Sequence, residues 1–233
     1  MPDDHIQTVY DMLWDTSFEA ISRGDIDIDP YITNPGLDRR RGLTLIFRPP
    51  EEIKTTVIDF LKSIQVLEPD QYYYGQSNLH FTVLSLFTAI PDYQEQYNQL
   101  DRYRKVVVEV IDGVSPFSLH LRGLTVSRGA LMVCGYPDSD TLNNLRNALR
   151  QKLIQNNLAQ GLDKRYTLTA AHSTVMRFSH PLRNPFELSQ IIQTNRYREF
   201  GRFDVKCLQL VKNDWYMSQQ HTPIMAEYYL RQA

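Results

Sequence analysis

Hydrophobic residues recur at helical and strand spacings along most of this chain, and they predict alternating helices and strands. Residues 3–22 carry apolar side chains on one helical face, and Gly24 ends the run, so we predict an amphipathic helix there. Residues 25–42 are rich in turn-forming residues and predict a loop, which closes on the basic run Arg39–Arg41.

The elements predicted after this loop follow the order β-α-β-α-β twice. Strands of the first half are predicted at 43–47, 71–74, 78–88 and 117–126, where 71–74 is an addition to the pattern. Strands of the second half are predicted at 130–135, 166–179 and 203–211, followed by a last strand at 222–230. Helices are predicted between them over 53–64, 97–111, 142–154 and 185–200, with Ser139 as the cap of the third. The first and the closing strands of the halves start 87 and 86 positions apart, which indicates an internal duplication.

One short polar pattern occurs once in each half, at His80-Phe81-Thr82-Val83 and at His172-Ser173-Thr174-Val175. Residues i and i+2 of a strand face the same side, about 6.6 Å apart, so each motif directs one imidazole and one hydroxyl to one face. If the halves pack about a pseudo-twofold axis, two histidines and two threonines meet in one cleft. Two imidazoles that titrate near neutral pH and two neutral donors suit acid–base chemistry at a phosphate.

Two other interpretations of the histidines remain open at this point. A single histidine on a strand is more typical of a core residue bonded to the backbone, but the matched pairs favour a functional site. A metal site is disfavoured, because each motif supplies one good ligand and has no adjacent carboxylate or cysteine. We therefore expect neither a metal nor a cofactor.

Composition restricts the class of protein and of partner. A chain of 233 residues, 42% of them hydrophobic, can build one large domain or two small lobes. A net charge of -2 and a pI near 6.3 disfavour binding along duplex DNA, so a nucleotide or an RNA end is the expected partner. A mean hydropathy of -0.41 and the absence of a long apolar run exclude a membrane-spanning protein, and the acidic first five residues do not fit a signal peptide. Cys134 and Cys207 lie in apolar runs and predict reduced core thiols, so we expect a cytoplasmic protein and a monomer.

With both motifs identified, the chain resembles the two-histidine (2H) phosphoesterases of the LigT-like fold over about residues 41–230. That superfamily carries one His-x-[Ser/Thr]-x motif, ending in an apolar residue, in each β/α lobe. The resemblance implies an α+β, bilobed fold with antiparallel sheets and a central cleft between the lobes. We expect an N-terminal extension at 1–42 and a domain at 43–233, with lobes at about 43–126 and 130–230 whose termini can cross between them.

The resemblance also implies the roles of the site residues. His80 and His172 would be catalytic, and Thr82 and Thr174 would bind the phosphate oxygens. Bacterial members that resemble RNA 2′,5′-ligases and 2′,3′-cyclic phosphodiesterases often have an arginine five positions after the second histidine, which here is Arg177. Strict alternation would place Arg177 on the opposite face from His172, whereas a bulge or a position near the strand end would bring it to the anion.

The 40 residues before the first strand depart from the pattern of these proteins. They could cap the core, cover the cleft, or supply Arg39–Arg41 to a substrate, and a solvated basic turn is the preferred interpretation of these arginines. Aromatic residues that could stack a base, but for which packing is preferred, are Tyr72, Tyr73, Tyr74 and Trp215.

The function predicted on this basis is a metal-independent phosphodiesterase acting on 2′,3′-cyclic or related cyclic phosphates of nucleotides or RNA ends. One histidine would act as the base and the other as the acid, in an order that the sequence leaves open. An RNA 2′,5′-ligase is the alternative within enzymes. A nucleotide- or RNA-binding module without turnover is the alternative from another class.

Overall fold

Two antiparallel sheets and the helices that pack on them form the described part of the chain, residues 2–163 and 167–231 of a computed structural model. The helices are α1 (Pro2–Ser22), α2 (Glu51–Leu67), α3 (Gln94–Tyr97), α4 (Leu100–Ile111), α5 (Thr141–Gln155) and α6 (Pro185–Thr194). The strands are β1 (Arg41–Phe47), β2 (Tyr72–Tyr73), β3 (Phe81–Ile90), β4 (Phe117–Ser127), β5 (Ala130–Pro137), β6 (Ala171–Arg177), β7 (Glu199–Val205), β8 (Cys207–Asn213) and β9 (Ile224–Tyr229).

The first sheet has the strand order β3-β1-β8-β9 and the second has the order β2-β6-β5-β4-β7. Every pairing in both sheets is antiparallel. The two sheets meet where β3 contacts β6. Strand β6 contains the second histidine motif, and β3 begins directly after His80, so the two motifs lie side by side. The predicted α+β class with antiparallel sheets is confirmed.

The sheets do not follow the predicted lobe boundaries of 43–126 and 130–230. Strand β4 joins the second sheet beside β5, while β8 and β9 return to the first sheet. The order β3-β1-β8-β9 is therefore repeated by β6-β5-β4-β7, and the counterpart of β4 is β8. The chain crosses between the sheets four times: into and out of the second sheet at the short β2, into it again at β4, and back to the first sheet at β8.

The prediction of one strand over 203–211 that corresponds to β4 is wrong. Phe203 lies on β7 and pairs directly with Leu119 of β4, in the same sheet. The chain leaves that sheet at Lys206 and continues as β8 in the other. Apolar alternation continues through both strands, and such a pattern does not indicate which sheet a strand enters.

Most other predicted elements are present with small differences in their ends. The helix predicted over 97–111 is divided into α3 and α4, and the helix predicted to end at Phe200 ends at Thr194. Ser139 does not cap α5: Asp140 holds the capping position without a side-chain bond, and the Ser139 hydroxyl bonds the Thr141 hydroxyl at 3.0 Å. The predicted start of the second histidine strand, Tyr166, lies outside the described residues.

The N-terminal helix packs on the second sheet and on α6. Its Tyr10 side chain is buried, and the hydroxyl lies 2.9 Å from the Gly135 carbonyl oxygen and 2.7 Å from the Ala171 carbonyl oxygen. Ala171 immediately precedes His172. Of the three roles considered for the N-terminal extension, helix α1 therefore acts as a cap on the core. The helix also supports the strand of the second motif.

Both cysteine thiols are free, but only Cys134 is buried, whereas Cys207 is half-buried on β8. The expectation of two core cysteines therefore holds for Cys134 alone. None of the helices among the described residues is long and apolar enough to cross a membrane.

Candidate active site

The five residues singled out in the sequence line one cavity of about 180 Å³ where the two sheets meet: His80, Thr82, His172, Thr174 and Arg177. Thr82 enters it from β3 of the first sheet, His80 from the position just before that strand, and the other three from β6 of the second sheet. Packing of the sheets along β3 and β6 thus brings together two motifs that lie 92 positions apart.

A β-bulge on β6 places Arg177 in the cavity. Leu131 pairs with Met176 but Met132 pairs with Thr174, so Val175 is an additional residue on β6. The phase of the strand changes at that point: Val175 and Met176 are both buried, and Arg177 faces the same side as His172 and Thr174. Strict alternation would have placed Met176 beside the histidine instead.

Two register shifts on β3 bring a hydroxyl group to the cavity, that of Ser85, which alternation did not predict. Val83 and Leu86 are each skipped in the pairing with β1. Thr82, Ser85 and Thr88 consequently face the cavity at a spacing of three residues. Alternation from His80 would place on this face Thr82, Leu84, Leu86 and Thr88. Leu84 and Thr88 do line the cavity, but Leu86 is buried in the core and Ser85 faces the cavity instead. A recurrence of hydroxyl residues at 82, 85 and 88 is the signal that could have found Ser85.

The His80 ring is held by the chain that leads into β3. Its Nδ1 lies 2.8 Å from the Asn78 carbonyl oxygen. A carbonyl oxygen accepts only, so Nδ1 carries the hydrogen, and Nε2 is the ring atom available for proton transfer. Arg48 fixes the same segment by donating to the carbonyl oxygens of Ser77, at 2.7 Å, and Leu79, at 3.2 Å.

Both imidazoles have lowered pKa values. Burial lowers the pKa of His80 to about 4; the bond to Asn78 opposes this shift, and Arg48, His172 and Arg177 add to it. Burial also lowers the pKa of His172 to about 4, assisted by Arg146 and Arg177. The protein's own groups therefore hold both rings neutral at pH 7, which corrects the expectation that they titrate near neutral pH. An anion between the rings would favour the imidazolium form and raise these pKa values.

These pKa values predict how stability depends on pH. Unfolded histidine has a pKa of about 6.5, so as the pH falls the unfolded chain binds protons before the folded chain does. The contribution to stability is fully present above pH 6.5 and is lost progressively between pH 6.5 and 4. We expect the free energy of unfolding, measured in urea, to fall over this window by on the order of 2 kcal/mol per histidine.

The matched control is the double variant His80→Asn, His172→Asn, in which neither site titrates. Its unfolding free energy should depend less on pH over the same window, although carboxyl groups still contribute near pH 4. Equal pH dependence in the variant and the wild type would show that the two histidines are not held neutral by the fold.

Arg177 is a buried cation whose orientation is fixed by tyrosines. Its Nε donates to the Tyr74 hydroxyl at 2.9 Å, and its guanidinium lies 5.9 Å from the centre of the Tyr216 ring. Burial alone would lower the pKa of Arg177, but the neighbouring tyrosines and Asp29 raise it, so the group stays charged. A charged guanidinium that lines the cavity beside His172 gives the site a positive field for an anion.

Only some of the aromatic and basic residues considered in the sequence analysis lie at the cavity. Tyr74 and Trp215 line the cavity, while Tyr72 and Tyr73 do not, and the Tyr73 hydroxyl donates to the Glu68 carbonyl oxygen. Arg39 is exposed, as expected of a solvated turn. Arg40 is not: it pairs with Asp29 at 3.0 Å and Asp38 at 2.9 Å and lies 4.6 Å from the centre of the Trp215 ring. None of Arg39–Arg41 lines the cavity.

Two threonines, two histidines and one arginine on facing strands form a set of donors for a phosphate group. The described residues contain no group of three or more histidine, cysteine, aspartate or glutamate side chains that could hold a metal ion. The sequence model of the 2′-5′ RNA ligase superfamily matches residues 49–215, which include both motifs. The chain belongs to this superfamily.

The 2′-5′ RNA ligase superfamily comprises 2H phosphoesterases, and solved structures confirm the LigT-like fold of this member. TT0787 of Thermus thermophilus superposes with a TM-score of 0.62 at 16% identity, over 82% of this chain and 98% of that one. E. coli LigT complexed with ATP gives a TM-score of 0.53 at 16% identity, over 83% and 99%. E. coli LigT complexed with 3′-AMP gives 0.52 at 14% identity, over 83% and 99%. No curated protein matches the sequence.

Proposed function

We propose that this member of the 2′-5′ RNA ligase superfamily is a metal-independent phosphodiesterase that hydrolyses cyclic phosphates of nucleotides or of RNA ends. The observation that carries the proposal is the convergence of His80, His172, Thr82, Thr174 and Arg177 on one cavity. A 2′,3′-cyclic phosphate is the substrate that uses both histidines, because its hydrolysis requires one proton to be removed and another to be supplied.

In the proposed reaction, one neutral imidazole accepts a proton from water as the water oxygen forms a bond to phosphorus. The bond from phosphorus to one ribose oxygen breaks, and the other histidine, protonated, donates its proton to that oxygen. Thr82, Thr174 and Arg177 hold the non-bridging oxygens, on which negative charge increases in the transition state. Both motifs supply the same groups, so the assignment of base and acid to His80 and His172 is left to the pH profiles of the single variants.

The lowered pKa values fit this scheme once the substrate's own charge is included. The general base has to be neutral, and both rings are neutral at pH 7. The general acid has to be protonated, and the phosphate anion is the group that raises the pKa of the ring beside it. We therefore propose that substrate binding is coupled to the uptake of one proton by the histidine pair.

Two observations support a nucleotide as the substrate. E. coli LigT, which shares the fold, has been solved with ATP and with 3′-AMP. In this chain, Trp215 lines the cavity, and the Arg40 guanidinium lies over its ring. An indole at that position can stack a nucleobase. The expected cytoplasmic location and monomeric state remain predictions.

The alternative activity is the formation of a 2′,5′ linkage, for which the superfamily is named. In that reaction a ribose hydroxyl of a second RNA end replaces water as the nucleophile. One histidine removes the proton of that hydroxyl as its oxygen bonds to phosphorus, and the other protonates the ribose oxygen that leaves. The same five residues would serve both reactions. A binding module without turnover is disfavoured by the presence of both complete motifs in one cavity.

The proposal is tested by a hydrolysis panel in the presence of EDTA. The panel contains 2′,3′-cyclic mononucleotides, ADP-ribose 1″,2″-cyclic phosphate, 2′,5′-linked oligoadenylate, RNA with a cyclic end, and RNA ends suitable for joining. We expect turnover of cyclic phosphates at the same rate with and without EDTA, because the donors in the cavity are imidazoles, hydroxyls and a guanidinium.

Activity that disappears with the chelator and returns with a divalent cation would contradict the proposed mechanism. Joining of RNA ends without hydrolysis would favour the ligase. Nucleotide binding with no turnover of any compound in the panel would favour the binding module.

A further inference from the structure

A fully buried arginine outside both motifs connects the two motif strands. Arg146 lies on α5 with none of its surface exposed to solvent. Its Nε donates to the Val83 carbonyl oxygen at 2.9 Å, and Nη2 donates to that of Thr82 at 3.0 Å. The same guanidinium donates to the carbonyl oxygens of Thr169, at 2.8 Å, and Ala170, at 3.0 Å.

These four carbonyl groups belong to the segments that carry the site. Thr82 and Val83 are the last two residues of the first motif, and Thr169 and Ala170 precede His172 by three and two positions. One side chain therefore binds the backbone beside His80 and the backbone beside His172 simultaneously.

In the described part of the chain, no pairing of strands joins β3 to β6. β3 is the edge of the first sheet, and the short β2 covers β6 only at Met176 and Arg177. The junction between β3 and β6 thus lacks the ladder of backbone hydrogen bonds that fixes neighbouring strands within a sheet. Hydrogen bonds from Arg146 replace that ladder at the position of the site.

We propose that Arg146 is a positioning residue that sets the separation and orientation of the two motif histidines. An acid and a base on opposite sides of one phosphorus atom have to be placed accurately, and a displacement of about 1 Å can cost on the order of 10²-fold in rate. The planar fork of a guanidinium reaches two acceptors on β3 and two in the segment that leads into β6, whereas a lysine ammonium presents its donors at one point. The kinetic part of this inference rests on the proposed function.

Arg146 also places a positive charge close to His172. Arg146 and Arg177 both lower the pKa of His172, after the larger effect of burial, and His172 in turn lowers the pKa of His80 together with Arg48 and Arg177. The pKa of His172 therefore serves as a readout of the Arg146 charge, and a purely structural role of Arg146 would not change it.

The test compares three variants of the full chain: Arg146→Met, Arg146→Lys and the control Leu149→Ala. Leu149 is on the same helix and is equally buried, so its truncation destabilises α5 without removing a charge or a donor. The pKa values of His80 and His172 are measured by NMR titration, and kcat and KM are measured with a 2′,3′-cyclic nucleotide.

We expect Arg146→Met to lower kcat by about 10²-fold with a smaller change in KM. The same variant should raise the pKa of His172 above about 4, although burial keeps it below its ordinary value. Arg146→Lys should keep the low pKa of His172 but lower kcat by at least about 10-fold, because it retains the charge and loses the bridge. Leu149→Ala should lower the melting temperature and leave both kcat and the pKa values as in the wild type.

Wild-type kcat in Arg146→Lys, or effects in Leu149→Ala equal to those in Arg146→Met, would overturn the proposal. If Arg146→Met does not fold, the lysine variant and the Leu149 control decide it. If the wild type hydrolyses no cyclic phosphate, the proposed function fails separately. The titration then decides, and an unchanged pKa of His172 in Arg146→Met overturns the inference.

Discussion

Replacing His80 or His172 by alanine is expected to lower the turnover of a 2′,3′-cyclic nucleotide by about 10²–10⁴-fold. Each change removes one of the two groups that transfer protons in the proposed reaction, while the threonines and Arg177 still bind the phosphate. The loss should therefore appear in kcat more than in KM. Initial rates at saturating substrate measure it, in the presence of EDTA.

The pH dependence of kcat separates the two roles. The wild-type profile should be bell-shaped, because one imidazole has to be neutral and the other protonated in the complex. Each single variant should lose one limb of the bell, and the limb that disappears identifies the base and the acid. A suitable control is His120→Ala, since His120 forms an exposed pair with Glu199 at 2.6 Å outside the cavity. Near wild-type turnover in the double variant His80→Ala, His172→Ala would be incompatible with the proposed mechanism.

Removing the hydroxyl of Thr82 or Thr174 should cause the next largest loss in kcat. Valine keeps the branched shape of threonine and removes only the donor, so Thr82→Val and Thr174→Val test the hydrogen bond to the phosphate oxygens. If each hydroxyl acts like an oxyanion-hole donor, kcat falls by about 10²–10³-fold. The affinity for the substrate should change less, because the charge on these oxygens increases in the transition state.

Thr88 supplies the matched control for this pair. It lies on β3, lines the same cavity and donates to the Gly161 carbonyl oxygen at 3.3 Å, but it is outside the motif. Thr88→Val should retain kcat within a few-fold of the wild type. Equal losses in all three variants would mean that the motif hydroxyls have no special role, and that polarity of the cavity wall alone matters.

Local sequence pattern was sufficient for the elements and for the residues of the motifs. The apolar periodicity predicted α1, α2 and the strands of both motifs, since burial of one face determines which positions are apolar. The His-x-Thr spacing placed His80 with Thr82 and His172 with Thr174 on one face, because successive strand side chains alternate. The structure brings both pairs to one cavity.

The phase of the strands beyond the motifs depended on pairing with their neighbours. Ser85 reaches the cavity because β3 skips a residue against β1, and Arg177 reaches it because β6 carries one additional residue against β5. A bulge is fixed by the register between two strands, so an alternation rule applied to one strand cannot locate it.

The sequence by itself determined the two motifs and most of the order of elements, because these depend on interactions between residues close in the chain. It did not show that residues 203–211 divide between β7 and β8. Only the tertiary structure decided which strands share a sheet, how β3 and β6 meet, and which buried side chain connects them. Arg146 shows the physical reason. Its sequence position, within a helix of leucines and polar residues, carries no sign of the four carbonyl groups that it binds, and two of these lie more than 60 positions away.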